Sequence, residues 1–147
     1  YFGMGCRNVS QILVPESYNF EHFFATLHAF DHHFDHNKFK NNYDYQLALY
    51  LLNNVPYMSN KAFIMVENAV PFAPIATVHY QYYTTAQDIV ATLKPEEIQC
   101  IVAKPSVAAT ISTPIPVVAP GMTQVPSLTD YADGIDTMAF LSTLVAQ

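Results

Sequence analysis

The stretch IATVHYQYYTTAQDIVATLKPEEIQCIVA, residues 75–103, contains the pattern that decides the fold class. Residues 75–83 are rich in β-branched and aromatic side chains, which is typical of a strand. A helix is predicted over residues 85–93, capped by a threonine and ended before Pro95. The near-continuous apolar run 98–103 predicts a central strand. A strand, a helix and a second strand in succession favour an α/β protein with a mostly parallel sheet flanked by helices.

The segments on either side continue this alternation of strands and helices. Further strands are predicted over residues 11–14, 61–66 and 115–119. Further helices are predicted over residues 20–30, from Tyr43 or Asp44 to Asn53, and over 137–145, with Asn19 and Asp136 as N-caps. The connecting segments are predicted to be a polar loop over 31–42, a short helix or loop over 105–113, and a turn over 131–134.

The composition limits the classes of function. The chain has 147 residues, of which 51% are hydrophobic and 12% charged, and its net charge is −6. Six Lys and Arg residues cannot neutralise a row of phosphates, so we expect no nucleic-acid partner. No apolar run approaches the ~20 residues of a membrane span. The two cysteines do not make a disulfide framework, and a reducing cytoplasm is the expected location. The chain has few charged residues and many aromatic ones, and its first residue is not Met. These features favour the interpretation that the sequence is a piece of a larger protein.

Cys6 is the candidate nucleophile. It lies in the sequence GMGCRNVSQILVP, residues 3–15, between glycines, beside Arg7 and before a predicted strand. Glycines allow a sharp turn and close approach of a substrate, and a nearby cation favours the thiolate over the thiol. The alternative is that Cys6 fills a core position. Arg7 is interpreted first as an ion-pair residue, and Cys100 is interpreted as inert core.

Four strings resemble the acyl-CoA reductase branch of the aldehyde dehydrogenase superfamily, which includes the fatty-acid reductases of bacterial luminescence. These strings are GCRNVSQILVP, HNKFKNNYDYQLALYLLN, PFAPIATVHYQYY and TQVPSLTDYADGIDTMAFL, and they cover nearly the whole chain in order. The resemblance implies an aldehyde-dehydrogenase-like catalytic domain over residues 1–147, with the nucleotide-binding domain upstream and absent.

The resemblance also implies a function and its partners. Cys6 would form a thioester with the acyl group of a fatty acyl-CoA, and NADPH would reduce that thioester to the aldehyde. The full-length protein would be a homo-oligomer, and the fragment alone would be inactive because NADPH is bound mainly by the absent domain.

The segment PFAPIATV, residues 71–78, is similar to the Phe-Gly-Pro-Val element of aldehyde dehydrogenases, which approaches the nicotinamide ribose. Phe72 is therefore a candidate cofactor-binding residue, and its alternative is an ordinary buried aromatic. Where many members have a glutamate for the ribose, this chain has Val70, and Glu67 is out of register. Ala73 replaces the glycine of the element. Glu67 is therefore not carried over as a site residue.

Other clusters of titratable residues are interpreted without a metal. His28, His32 and His36 have helical i, i+4 spacing, but they lie in a segment of exposed polar composition and no glutamate is placed as a base. The spacing of Asp130, Asp133 and Asp136 does not match a calcium loop. His79, in the middle of a predicted strand, is interpreted as a half-buried, hydrogen-bonded side chain, with proton transfer left open.

Two alternatives remain open from the sequence. The chain could be a non-catalytic interaction or oligomerisation module whose aromatic surfaces dock another domain or subunit. It could also belong to a semialdehyde or acyl-phosphate reductase of the same superfamily, with a substrate of different size.

Overall fold

A computed structural model of the chain describes residues 2, 4–5, 8–128 and 130–145. Its main sheet has four strands in the order β1-β4-β3-β2. The strands are β1 (Gln11–Pro15), β2 (Met58–Ser59), β3 (Ile64–Glu67) and β4 (Thr77–Tyr83). β4 is parallel to both β1 and β3, and only the two-residue edge strand β2 is antiparallel to its neighbour. The expectation of a mixed α/β protein with a mostly parallel sheet is therefore confirmed.

The remaining elements include a second, smaller sheet. Strands β5 (Ile101–Val102) and β6 (Val117–Val118) pair in parallel as a sheet of two. The α-helices are α1 (Glu21–Leu27), α2 (Asn37–Leu52), α3 (Ala86–Ala91), α4 (Pro105–Ala108) and α5 (Thr137–Val145). Two 3-10 helices cover His28–Asp35 and Ala132–Gly134. Among the described residues, no helix has the length and apolar character needed to cross a membrane.

Helices cover both faces of the main sheet. Side chains alternate between faces along a strand, so Ile64 and Val66 of β3 point to one side and Met65 points to the other. Ile64 and Val66 pack with Phe39 and Tyr43 of α2. Met65 packs with Val14 and Phe20, and two further phenylalanines of α1 join them. The main sheet therefore has one hydrophobic cluster on the face that α2 covers and another on the face that α1 covers, and β3 contributes side chains to both.

The start of α2 corrects the predicted loop over residues 31–42. The 3-10 helix occupies the first part, and α2 begins at Asn37, several residues before Tyr43. Phe39 and Tyr43 are four residues apart and both are buried, so they hold the first turns of α2 against the sheet. Polar residues at the other positions face solvent, which made this exposed helix resemble a loop in composition.

The central strand predicted over residues 98–103 is wrong in its extent and place. Only Ile101 and Val102 form a strand, and they pair with β6 outside the main sheet. The predicted strand 115–119 shrinks correspondingly to Val117–Val118. An apolar run predicts that a segment is buried, but it does not show which strand the segment pairs with. The composition of residues 98–103 therefore could not distinguish a place in the main sheet from a place in a second sheet.

Turn chemistry explains the other shifted boundaries. Asn60 Oδ1 accepts hydrogen bonds from the backbone N–H groups of Ala62 (2.8 Å) and Phe63 (3.1 Å), which forms the β2–β3 turn where a strand was predicted. Ala76 has φ +59°, so β4 begins only at Thr77. Two caps are confirmed: Thr85 Oγ1 accepts from Asp88 N, and Asp136 Oδ1 accepts from Ala139 N. The predicted cap Asn19 is wrong, because α1 begins at Glu21 with Phe20 at its N-cap position, and Asn19 Oδ1 accepts from Glu21 N from one residue before that position.

Candidate functional site

A cavity of about 600 Å³ lies along the outer edge of β1. Two uninterrupted runs of residues line it, 8–13 at the start of β1 and 97–103 around β5. Successive side chains of a strand point to opposite faces, so a cavity that touches every residue of a run must lie along the strand's edge. Of β4, only Tyr83 is among the described residues that line the cavity, and no described residue of β6 is among them. The open edge of β1 and the open edge of β5 therefore both border the cavity.

Apolar side chains of two helices complete much of the wall. They are Ala86, Ile89 and Val90 of α3, Leu93 just beyond it, Val107 of α4, and Ile111. The charged residue in the lining is Glu97, which lies 2.8 Å from Lys94 Nζ. The hydrogen bond to Glu97, followed by its negative charge, raises the pKa of Lys94. The described part of the lining is thus mainly apolar, and the one carboxylate within it is paired.

The hydrogen bonds of β1 show which of its backbone groups face the cavity. His79 N donates to Ser10 O at 3.0 Å, and Glu16 N donates to Tyr83 O at 3.2 Å. In a parallel pair alternate residues bond to the same neighbour, so residues 10, 12, 14 and 16 direct their backbone groups to β4. The intervening residues Gln11 and Leu13 direct their N–H and C=O groups to the opposite side. That side is the cavity.

The same reasoning applies to β5. Ile101 N donates to Pro116 O at 2.8 Å, and Ala103 N donates to Val118 O at 3.0 Å. Residues 101 and 103 therefore direct their backbone groups to β6, and Cys100 and Val102 direct theirs away from it. The cavity is consequently bordered by outward-facing peptide groups of both β1 and β5.

Gln11 and His79 hold the loop between β3 and β4 against one end of this cavity. Gln11 Nε2 donates to the carbonyl oxygens of Asn68 (3.1 Å) and Ala69 (3.3 Å). His79 is 4% exposed, and its Nδ1 lies 2.6 Å from Val70 O. A carbonyl only accepts, so Nδ1 carries the proton. Three successive carbonyls of the loop are thus fixed by side chains of β1 and β4. The interpretation of His79 as a hydrogen-bonded structural side chain is confirmed, although it is buried more deeply than expected.

Phe72 lies on this fixed loop and lines the cavity. Its side chain is 60% exposed, so the alternative of an ordinary buried aromatic is wrong. The neighbouring Ala73 is buried and lines the same cavity. Val70, at the position where the resemblance implies a glutamate, has a half-exposed apolar side chain.

Cys6 and Arg7 lie outside the described residues, so the prediction that Cys6 is a nucleophile stays a prediction. Residues close to it in the sequence are described. Asn8 N donates to Gly5 O at 3.0 Å, a bond that spans Cys6 and Arg7. Met4 and Asn8, two residues on either side of Cys6, both line the cavity together with Phe72.

Cys100 differs from its predicted role as inert core. It is a partly exposed free thiol in the cavity wall, close to β5. The apolar run around it is not enclosed by a central sheet position, because β5 is short and has an open edge.

The histidine and aspartate clusters have local partners. His28 Nδ1 lies 3.1 Å from Asp31 Oδ2, and the His32 and His33 rings contact each other with centroids 4.2 Å apart. Within the described part of the chain, no three His, Cys, Asp or Glu side chains come together as a metal site. Asp136 caps α5, and the hydrogen bond from Ala139 N is the main reason that the pKa of its carboxyl is lowered.

Comparison with known proteins gives no match to a family model, to a curated protein sequence or to a solved structure. The site is therefore interpreted from its own geometry. The feature that sequence reasoning missed is the pair of open strand edges. No residue pattern predicts these open edges, because they depend on which strands remain unpaired on one side after folding.

Proposed function

We propose that the chain is the catalytic part of an acyl-CoA reductase, with an aldehyde-dehydrogenase-like fold and Cys6 as its nucleophile. The observation that supports this proposal is the shared cavity of Met4, Asn8 and Phe72. Met4 and Asn8 flank Cys6 in the sequence, and Phe72 belongs to the segment that resembles the superfamily's cofactor-facing element. Strand β1 begins three residues after Asn8 and pairs in parallel with β4, which places a rigid element close to Asn8 in the sequence.

The proposed chemistry is acyl transfer between two sulfur atoms. The Cys6 thiolate attacks the thioester carbonyl carbon of a fatty acyl-CoA, and a new C–S bond to Cys6 forms. The C–S bond to coenzyme A breaks, and the coenzyme leaves as a thiolate that takes up a proton from solvent. One thioester replaces another, so the step is nearly balanced in energy. Met4, Phe72 and Ala73 give the cavity an apolar wall that suits a fatty acyl chain.

The described residues do not fit NADPH, so no hydride step is derived for this chain. Val70 offers no hydrogen-bonding side chain for a ribose, and Glu67 lies on β3 in register with Tyr80. The described residues also contain no glycine-rich turn between a strand and a helix. Reduction of the acyl group to the aldehyde remains part of the proposal for the full-length protein, together with its cofactor domain and oligomeric state.

The proposal predicts that Cys6 is the more reactive of the two cysteines. We expect iodoacetamide to alkylate Cys6 at neutral pH about ten-fold faster than Cys100, because a lowered thiol pKa raises the thiolate fraction. The single variants Cys6→Ser and Cys100→Ser separate the two rates by intact-mass spectrometry. Equal rates at the two thiols, or a slower rate at Cys6, would contradict an activated nucleophile.

A second measurement tests the substrate class. Incubation with palmitoyl-CoA should add one palmitoyl group to the wild type and to Cys100→Ser, and none to Cys6→Ser. An adduct formed with acetyl-CoA or acetyl phosphate, but not with palmitoyl-CoA, would favour the reductases of smaller substrates. Absence of every adduct, together with an unreactive Cys6, would leave an interaction module.

A further inference from the structure

We propose that an extended strand of a partner protein, apolar at every second residue and basic beyond its ends, inserts between β1 and β5 and joins the two sheets into one. This inference goes beyond acyl transfer and does not depend on Cys6. It specifies how the chain would bind another polypeptide if it acts as an interaction module.

Unpaired peptide groups of β1 and β5 favour a polypeptide over any other occupant. Gln11 and Leu13 present N–H and C=O groups from β1, and Cys100 and Val102 present theirs from β5. Backbone groups facing an apolar space need hydrogen-bond partners, and a strand offers donors and acceptors along both of its edges. An acyl chain lying along the two strand edges would leave these groups unpaired, so the acyl chain of the proposed function is confined to the part of the cavity that Met4, Phe72 and Ala73 line.

The edge of β1 carries few of the features that keep open strand edges from pairing. Natural edge strands are protected by charged side chains, proline or covering segments. Residues 8–13, Asn-Val-Ser-Gln-Ile-Leu, contain neither charge nor proline, and Pro15 blocks only the end of the strand. An edge of this composition is suited to accept a further strand.

The size of the cavity matches a short strand. Neighbouring strands are about 4.8 Å apart, packed layers about 10 Å, and each residue advances about 3.3 Å, which gives roughly 160 Å³ per residue. The 600 Å³ of the cavity therefore corresponds to about four residues. The wall formed by residues 8–13 is about 17 Å long, enough for a strand of four or five residues.

The helices determine the side chains that the strand should carry. Ile89 and Leu93 at α3, and Val107 and Ile111 at α4, line the cavity with apolar surface. Alternate side chains of an inserted strand point to the same face, so every second residue should be apolar. The net charge of −6 favours basic residues beyond the ends of such a strand.

Amide hydrogen exchange tests the proposal with a defined probe. The probe is a seven-residue peptide with valine and threonine in alternation and lysine at each end. Addition of millimolar peptide should slow exchange at the amides of Gln11, Leu13 and Val102 by about ten-fold or more. The amides of Ile12 and Val14, already bonded to β4, should change little. A peptide with proline at its centre is the control and should have no effect.

A pair of variants tests the edge itself. Leu13→Pro removes the outward N–H, whereas Leu13→Ala removes the side chain and keeps that N–H. Peptide-induced protection at Val102 should be lost in Leu13→Pro and retained in Leu13→Ala. Unchanged amide exchange of Ile12 and Val14 without peptide shows that a variant is folded. If a variant does not fold, the experiment on the wild type alone tests the proposal. The proposal is overturned if the peptide leaves Gln11 and Leu13 unchanged, or if palmitate or the proline peptide protects them equally.

Discussion

Residues 11–83 and residues 98–145 form two regions with very different packing. The first region contains the four-stranded sheet, with a packed cluster on each face. Apart from Ile115, every buried hydrophobic side chain among the described residues precedes Pro95. The second region has two strands of two residues and many exposed apolar side chains: Val102, Met122, Val125, Leu128, Ile135, Met138, Phe140, Leu141 and Leu144.

This difference separates the residues that stabilise the fold from those that offer contacts. Large exposed apolar patches mark interaction surfaces in proteins, whereas single exposed apolar residues do not. The first region has exposed apolar side chains too, but it also has two packed clusters, whereas Ile115 is the one buried hydrophobic side chain described in the second. Each region has an open strand edge, that of β1 in the first and that of β5 in the second. We therefore expect stability to depend on the first region and binding to depend on the boundary between the two.

The largest expected effect comes from removing a core side chain of β3. Ile64 is 0% exposed, and Ile64→Ala should lower the free energy of unfolding by about 3–4 kcal/mol, through lost burial and the cavity left behind. Val102 on β5 is 47% exposed, and Val102→Ala should cost less than about 1 kcal/mol. Urea unfolding of both variants measures this contrast. Similar losses for the two would mean that β5 belongs to the same core as β3.

The sequence was sufficient for the parts of the fold that depend on local chemistry. Thr85 and Asp136 are caps whose side chains bond to nearby backbone groups, and the last helix is Thr137–Val145 as predicted. Strands β1, β3 and β4 of the main sheet were also predicted from their apolar, β-branched and aromatic content, whereas the edge strand β2 was not predicted. These features are decided within a few residues along the chain.

The sequence was insufficient where long-range pairing decides the outcome. The run 98–103 has the composition of a central strand, but a strand becomes central only if partners pair on both sides, and β5 has one. The role of Gln11 was missed for the same reason, because its contacts lie 57 and 58 residues away. Phe72 was recognised only through a resemblance, and its exposure follows from the loop that Gln11 and His79 hold.

An intermediate effect is expected from the histidine that fixes this loop. His79→Leu removes the donor to Val70 O and should cost about 1–3 kcal/mol, because it leaves a carbonyl without its hydrogen bond. His79→Asn is the matched variant, since its δ-position N–H₂ can donate to the same carbonyl. We expect Asn to recover part of the loss in urea unfolding. Equal stability of the Leu variant and the wild type would show that the loop does not need this hydrogen bond.

The smallest expected effect is a pH response confined to the exposed second region. The hydrogen bond from Ala139 N, with further ones from Tyr131 and Met138 N, lowers the pKa of Asp136 below its usual 3.8. A carboxyl whose pKa is lower in the folded state stabilises that state above its unfolded pKa, and this contribution is lost as the pH falls through the folded pKa.

The Ala139 amide shift in NMR spectra should therefore stay constant from pH 7 to about 4 and change only below that. Asp136→Asn keeps the accepting oxygen without its charge, so the change below pH 4 should disappear while α5 persists. Because α5 is exposed, the Ile64 and Met65 resonances of the first region should not follow this titration in the wild type. A shared transition of α5 and β3 at the same pH would show that the two regions are coupled, and the separation between a self-stabilised region and a contact-forming one would then not hold.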